Sequence, residues 1–519
     1  MRWELFICVA AVAADEHLPA PRVMQRFDTS SNPLAVCNDG SPAVYYFDPA
    51  PGGSSASNVW IVQLQDGGWC WSKAICDARI SAEPGSVSSV SFPSNRTAAP
   101  GSLLNAGSSL SYGQTNVVFV RYCSSDAYIG NRPADVPFLS TDPTANNIHF
   151  RGREIVRTVL QSLVNVHGMS TASPQTLILA GSSAGGRGVL HNLNHAKSDI
   201  QGYGWNAISL YGIIDSGLYL VQPTLDWTKS DLDVQAREIV KYAQADIDPI
   251  CSAYMVSKWG TELADPSAED PSGQNWRCII AQFALETLES PHVVHQFQMD
   301  AWGTYVQLPL PYGWATKDLM VQRPAWNAAM EKYRQIVRDV LQTPPTASQI
   351  AKGGTRAVQS TACYQHMNTY SSFFQYKYRV NGVSLANIID SFIFGAPGPT
   401  VAIEECDGWE CGQDCDYTRA GAGSPAVCGW WYWFTALRSM SPKCQNSLAD
   451  FHVSGVFEWP LAEACPCINE LDPAVVANHQ CPHLFAYGYS PGQPNSPTMR
   501  LGALFYSLSS ESSASRGDH

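Results

Sequence analysis

The chain has 519 residues, of which 45% are hydrophobic, 15% charged and 11% aromatic, a composition that suits a large buried core and excludes disordered or fibrous material. Its formal charge of −13 and pI near 5.3, with no run of Lys or Arg, exclude the basic footprint that a nucleic-acid binder needs.

The first element is a leader. Residues 1–17 read MRWELFICVAAVAADEH, with Arg2, an apolar stretch from Leu5 to Val12, and small Ala13 and Ala14 ahead of Asp15. That is the layout of a secretory signal over residues 1–14, with a buried N-terminal strand as the competing account. No later stretch approaches the roughly 20 apolar residues of a membrane span, so a secreted protein, extracellular or in a cell wall, is expected. Export makes disulfides the default. Sixteen cysteines become fifteen once Cys8 leaves with the signal, so at least one is free or pairs outside the chain. Asn95-Arg96-Thr97 offers a glycosylation site on such a protein.

Short β-branched or aromatic runs follow at Val59–Leu64, Val117–Tyr122, Thr176–Ala180, Ala207–Ile214 and His292–Met299. Between the second and third lies an amphipathic helix with Ile155, Val156, Val159, Leu160, Leu163 and Val164 on one face. Another helix follows Pro324, carrying Trp326, Ala329, Tyr333, Ile336, Val337 and Val340 at helical spacing. The alternation predicts an α/β fold, a mainly parallel sheet covered by helices, over residues 15–400. Eight cysteines then fall between Cys406 and Cys481, mixed with Gly, Pro and aromatics. Their spacings lack the paired C-x2-C pattern of zinc sites, so residues 401–490 are expected to form a disulfide-bonded appendage without metal, followed by a Ser-rich tail over 491–519.

Gly181-Ser182-Ser183-Ala184-Gly185 fits G-x-S-x-G, and a strand-like run precedes it while a helix-like run follows. A nucleophile elbow requires that context, because small neighbours permit the tight turn that projects the serine. Without it Ser183 is only a small residue in a turn. A serine hydroxyl becomes a useful nucleophile when a histidine takes its proton and an acid orients that histidine. Asp215 and Asp300 both stand at strand ends after Ser183; the histidines available after it are His366, His452, His479, His483 and His519. Residue chemistry alone leaves the choice open. Gly67-Gly68-Trp69, directly after the first of these strands, is placed either as a plain turn or as a loop whose N–H groups receive an oxyanion.

Eight segments carry a resemblance: CNDGSPAVYYFDP (37–49), VQLQDGGWCWSKAIC (62–76), VRYCSSDAYIG (120–130), FRGREIV (150–156), AGSSAGGRGVLHN (180–192), IIDSG (213–217), FQMDAW (297–302) and ACYQH (362–366). In this order they resemble the pectin acetylesterase family, which includes plant enzymes and the animal Wnt deacylase Notum. The resemblance spans roughly residues 35 to 395. It implies an α/β-hydrolase fold and a serine carboxylesterase that needs no metal or other cofactor. By the same resemblance Ser183 is the nucleophile, Asp300 the acid and His366 the base, with N–H groups of Gly68, Trp69 and Ala184 as the oxyanion hole. It implies a Cys70–Cys76 disulfide of the plant kind, and Cys251 is expected to pair with Cys278. Asp66 stands where the family usually has Glu, and Met367 where the plant enzymes have Cys. The expected substrate is an O-acetyl group on an extracellular polysaccharide such as pectin; a lipid-acyl protein deacylase of Notum type and an inactive glycan-binding relative are the alternatives. The protein is expected to be a monomer with neither nucleic-acid partners nor a transmembrane segment.

Overall fold

The computed structural model describes residues 22–106, 114–132, 136–137, 147–221, 231–261, 270, 272–307, 324–408, 411–412 and 414–415. The expected signal segment, the Ser-rich tail and most of the Cys-rich region lie outside them.

Strands in chain order are β1 (Arg22–Asp28), β2 (Val44–Asp48), β3 (Val59–Leu64), β4 (Asn95–Ala98), β5 (Asn116–Val120), β6 (Val136–Pro137), β7 (Asn147–Ile148), β8 (Gln175–Ser182), β9 (Ile208–Asp215), β10 (His292–His295), β11 (Arg356–Ser360) and β12 (Val401–Ile403). All but β6 and β7, which pair with each other, form a sheet of ten strands in the order β12-β11-β10-β9-β8-β3-β5-β2-β1-β4. From β12 to β5 every pairing is parallel, while β2, β1 and β4 add an antiparallel margin. The parallel strands read as near-continuous apolar runs, such as the wholly buried Asn116-Val-Val-Phe-Val120, because helices cover both faces.

The helices that matter for the site are α1 (Lys73–Ala82), α2 (Gly152–Asn165), α3 (Ala184–Gly202), α4 (Asp231–Tyr242), α5 (Pro249–Trp259), α6 (Ala281–Ala284), α7 (Ala301–Gln307) and α8 (Pro324–Gln342). In α2 the residues Ile155, Val156, Val159, Leu160 and Leu163 are buried, as the 3.6-residue period requires. Among the described residues no helix is long and apolar enough to cross a membrane.

Sheet order fixes where chemistry can sit. The chain runs from β3 outward to β5, returns to β8 on the other side of β3, and from β9 to β12 continues away. The reversal therefore falls between β3 and β8, where open α/β sheets hold their ligands beyond the carboxyl ends of the strands.

Three features differ from the sequence expectation. The antiparallel margin is additional; β1 and β4 carry half-buried and polar residues with no clean alternation, while β2 is buried from Val44 to Phe47. The strand expected over His292–Met299 stops at His295, beyond which the chain leaves β9. The boundary expected at residue 400 falls inside the compact unit: β12 pairs with β11, and Cys415 is bonded to Cys363. The first cysteines of the supposed appendage therefore belong to the main domain.

Candidate active site

Ser183 occupies the step between β8 and α3 with φ 54° and ψ −120°, a conformation costly for any residue with a Cβ. Surrounding backbone holds it there. Its N–H donates to the Asp215 carbonyl at 2.9 Å and its carbonyl accepts from the Arg187 N–H at 2.9 Å. The glycines beside it are required by proximity: a Cβ on Gly181 would lie 2.3 Å from the Gly185 carbonyl oxygen, and one on Gly185 would lie 2.1 Å from that of Leu64. The start of α3 thus packs directly on the ends of β8 and β3. Ser183 is 6% exposed, and its Oγ lies 3.2 Å from the Tyr219 hydroxyl.

The loop after β3 approaches the same place. Gly67 has φ 147° and leaves no room for a side chain, because a Cβ would meet the Tyr122 ring at 2.4 Å. The Asp66 N–H donates to the Tyr370 hydroxyl at 3.0 Å, and the Cys70 N–H donates to the Ser125 carbonyl at 2.9 Å. Cys70 is bonded to Cys76 in the first turn of α1, which ties down the residue that directly follows Gly68 and Trp69. The Trp69 indole N–H donates to Gln235 Oε1 at 3.0 Å. Ala184, the first residue of α3, supplies the remaining residue of the expected oxyanion hole.

His366 and Asp300 arrive from two further strand ends. Nδ1 of His366 lies 2.9 Å from Oδ2 of Asp300, and the other carboxylate oxygen accepts the Gly303 N–H at 2.7 Å. Asp300 thereby caps α7, which fixes the carboxylate while it faces the imidazole. The Trp302 ring stacks over His366 at 6.4 Å. Burial works to lower the His366 pKa, but the Asp300 carboxylate, with smaller contributions from Asp215 and Asp66, outweighs it and the net shift is upward. A histidine oriented by a carboxylate can move a proton during acyl transfer.

Asp215 has a different setting. Its Oδ1 accepts from His295 Nδ1 at 2.8 Å, and its Oδ2 from the Asn368 and Thr369 N–H groups, each at 2.9 Å, and from the hydroxyls of Ser182 and Thr369, each at 2.8 Å. Burial alone would raise its pKa, yet the His295 bond and these N–H donors hold it well below the usual carboxylate range. The turn residue Ser216 is a weaker partner at 3.3 Å. Asp215 joins β9 to the segment just after His366 and faces away from solvent.

Cys251 is bonded to Cys278, tying α5 to the turn before α6. Cys37–Cys123, Cys363–Cys415 and Cys406–Cys411 complete the pairs among the described residues. Asn95 is exposed on β4, at the sheet margin. No cluster of three or more His, Cys, Asp or Glu suited to a metal occurs among the described residues.

Sequence reasoning did not anticipate Tyr219, Tyr370 or Arg187. Arg187 offered a signal, because it stands one helical turn beyond the serine in a stretch otherwise made of small residues.

The family model for pectinacetylesterase matches residues 22–416. The chain belongs to the pectinacetylesterase family. Within it, palmitoleoyl-protein carboxylesterase NOTUM of Homo sapiens is 34% identical over 278 residues, covering 52% of this chain and 49% of that protein. Palmitoleoyl-protein carboxylesterase notum1' of Xenopus laevis is 29% identical over 270 residues, covering 52% and 50%. Pectin acetylesterase 11 of Arabidopsis thaliana is 27% identical over 270 residues, covering 52% and 60%. The alignments therefore span about half the length of these relatives. The crystal structure of the Wnt deacylase Notum from Drosophila superposes with a TM-score of 0.61 at 22% identity, over 76% of this chain and 100% of that one, and so shares the α/β-hydrolase-like fold.

Proposed function

We propose that this pectinacetylesterase-family protein is a secreted serine carboxylesterase that removes O-acetyl groups from an extracellular polysaccharide. The observation that carries the reading is the convergence at one sheet edge of a strained serine at the end of β8 and a histidine–aspartate pair 2.9 Å apart. Five disulfides among the described residues suit export.

In this mechanism Ser183 Oγ attacks the ester carbonyl carbon and its proton passes to Nε2 of His366. Asp300 keeps the proton on Nδ1 and stabilises the imidazolium. The carbonyl oxygen takes up negative charge and is met by the N–H groups of Gly68, Trp69 and Ala184. The tetrahedral intermediate collapses when His366 protonates the leaving alcohol oxygen. Water, deprotonated by His366, then attacks the acyl-enzyme and releases the carboxylic acid with Ser183 restored.

A second reading, removal of a lipid acyl group from a protein, is favoured by the higher identity to human NOTUM than to the Arabidopsis esterase. The short Cys70–Cys76 loop and the Asp300-Ala301-Trp302 segment resemble the plant side and favour acetyl.

A panel of p-nitrophenyl acetate, butyrate and palmitate, with acetate release from acetylated pectin, tests the choice on the purified full chain. Acetate is expected to turn over fastest, and Ser183→Ala to abolish turnover while the protein stays folded. A preference for palmitate would favour the deacylase; no turnover of any ester, or an undiminished Ser183→Ala, would reject the esterase.

A further inference from the structure

Arg187 is 2% exposed, yet among the described residues no carboxylate pairs with it. Its guanidinium lies between two aromatic rings, with the carbon 3.7 Å from the Trp69 centroid and 3.7 Å from the Tyr219 centroid. Nε and Nη2 are sealed from solvent without an acceptor. Burial lowers its pKa to about 10, so it remains charged at neutral pH.

A buried cation without a counter-charge costs stability, because the desolvation is not repaid by a partner. Two faces of π density recover part of that cost and fix the plane of the guanidinium. A Leu or Met at this place would fill the same volume without leaving donors unsatisfied. A residue that is poor for stability and held between two groups of the candidate site has the profile of a functional one.

The two rings are what give the position meaning. Trp69 follows Gly68 in the loop expected to receive the oxyanion, and its indole is already tethered to Gln235. Tyr219 places its hydroxyl 3.2 Å from Ser183 Oγ. Arg187 itself is bonded through its N–H to the Ser183 carbonyl. The side chain thus bridges the loop after β3 and the segment after β9, while its own main chain is bonded to the elbow after β8.

We infer that Arg187 is a positioning residue of the esterase, a buried cation that clamps Trp69 against Tyr219 and so fixes the oxyanion loop relative to the nucleophile. The inference rests on the esterase reading above.

The test compares Arg187→Met and Arg187→Lys with wild type in the full chain, using p-nitrophenyl acetate kinetics and melting temperature. For Arg187→Met, which keeps an unbranched apolar stem and removes the charge, kcat is expected to fall at least about tenfold with KM within about threefold, at unchanged or raised melting temperature. Arg187→Lys, which keeps the charge without the planar stack, is expected to recover part of kcat. An ordinary packing residue behaves in the opposite way, losing stability and keeping kcat. Wild-type kcat in Arg187→Met, or failure of that variant to fold, would overturn the inference. A wild-type protein that hydrolyses no ester would instead remove the esterase reading itself.

Discussion

Asp215 and His295 form a second aspartate–histidine pair at 2.8 Å, sealed from solvent and set beside the one that His366 makes with Asp300. The two pairs have similar contact geometry and different surroundings. The Asp215 carboxylate is saturated by donors from three segments, whereas Asp300 is shared between His366 and a helix N-terminus. Asp300→Asn is therefore expected to remain folded and to lose kcat by about four orders of magnitude, with the protease triad as the guide. Asp215→Asn is expected to lower stability by about 3 kcal/mol or more, through loss of one half of a buried pair, and to keep most of its turnover. Kinetics and melting temperature on both variants decide it; an inactive, fully stable Asp215→Asn beside an active Asp300→Asn reverses the assignment.

The pH profile of kcat/KM follows from His366. Its pKa is raised, chiefly by Asp300 acting against burial, and the proposed base is useful only when neutral. Activity is thus expected to fall with decreasing pH through an apparent pKa above the ordinary histidine value of about 6.5. In Asp300→Asn the same limb should move to lower pH. A limb that stays fixed in that variant would show that another group titrates.

Acid stability follows from Asp215. Its pKa is depressed in the folded state, so the unfolded chain binds the proton more tightly. The stabilisation is fully present above the unfolded value of about 3.9 and is lost as pH falls through the folded pKa. Melting temperatures of wild type and Asp215→Asn, compared between about pH 6 and pH 2, should converge toward the acid end. A gap between them that is independent of pH counts against the carboxylate as the source.

Two disulfides offer opposite signatures. Cys363–Cys415 spans 52 residues and Cys70–Cys76 spans 6; chain entropy values the first at about 4 kcal/mol and the second at about 2. Replacing Cys363 and Cys415 by Ser should cost more melting temperature. Replacing Cys70 and Cys76 should cost more kcat, since that disulfide anchors the residue directly after Gly68 and Trp69. Equal kinetic losses in the two double variants would separate the short disulfide from the chemistry.

How much of this was legible depends on whether the signal was local. The strands β3, β8 and β9 and the helix α3 announce themselves through apolar runs and small residues at the turn, and so does the elbow. Residue chemistry did not separate Asp215 from Asp300, because both follow strands; strand order after the nucleophile and the family resemblance pointed to Asp300, and the contacts with His295, Asn368 and Thr369 give Asp215 its different setting. Strand β12 was hidden because three residues carry no period and its neighbour β11 lies some forty residues upstream. The Arg187 clamp was out of reach for a related reason: nothing in the run Gly-Gly-Arg-Gly tells which rings from the segments after β3 and β9 will close over it.

The contact between Gly185 and the Leu64 carbonyl divides the molecule's capacity to change. The elbow and the neighbouring strand end meet through main-chain atoms, so their relative placement is indifferent to which side chains surround them. Trp69, Tyr219, Trp302 and Arg187 have no such protection, since each acts through atoms that one codon change removes. A lineage built on this frame inherits the main-chain step intact but can lose the clamp in a single change, so laboratory libraries aimed at new esters should randomise walls such as Trp302 and leave residues 181–186, Trp69, Arg187 and Tyr219 alone.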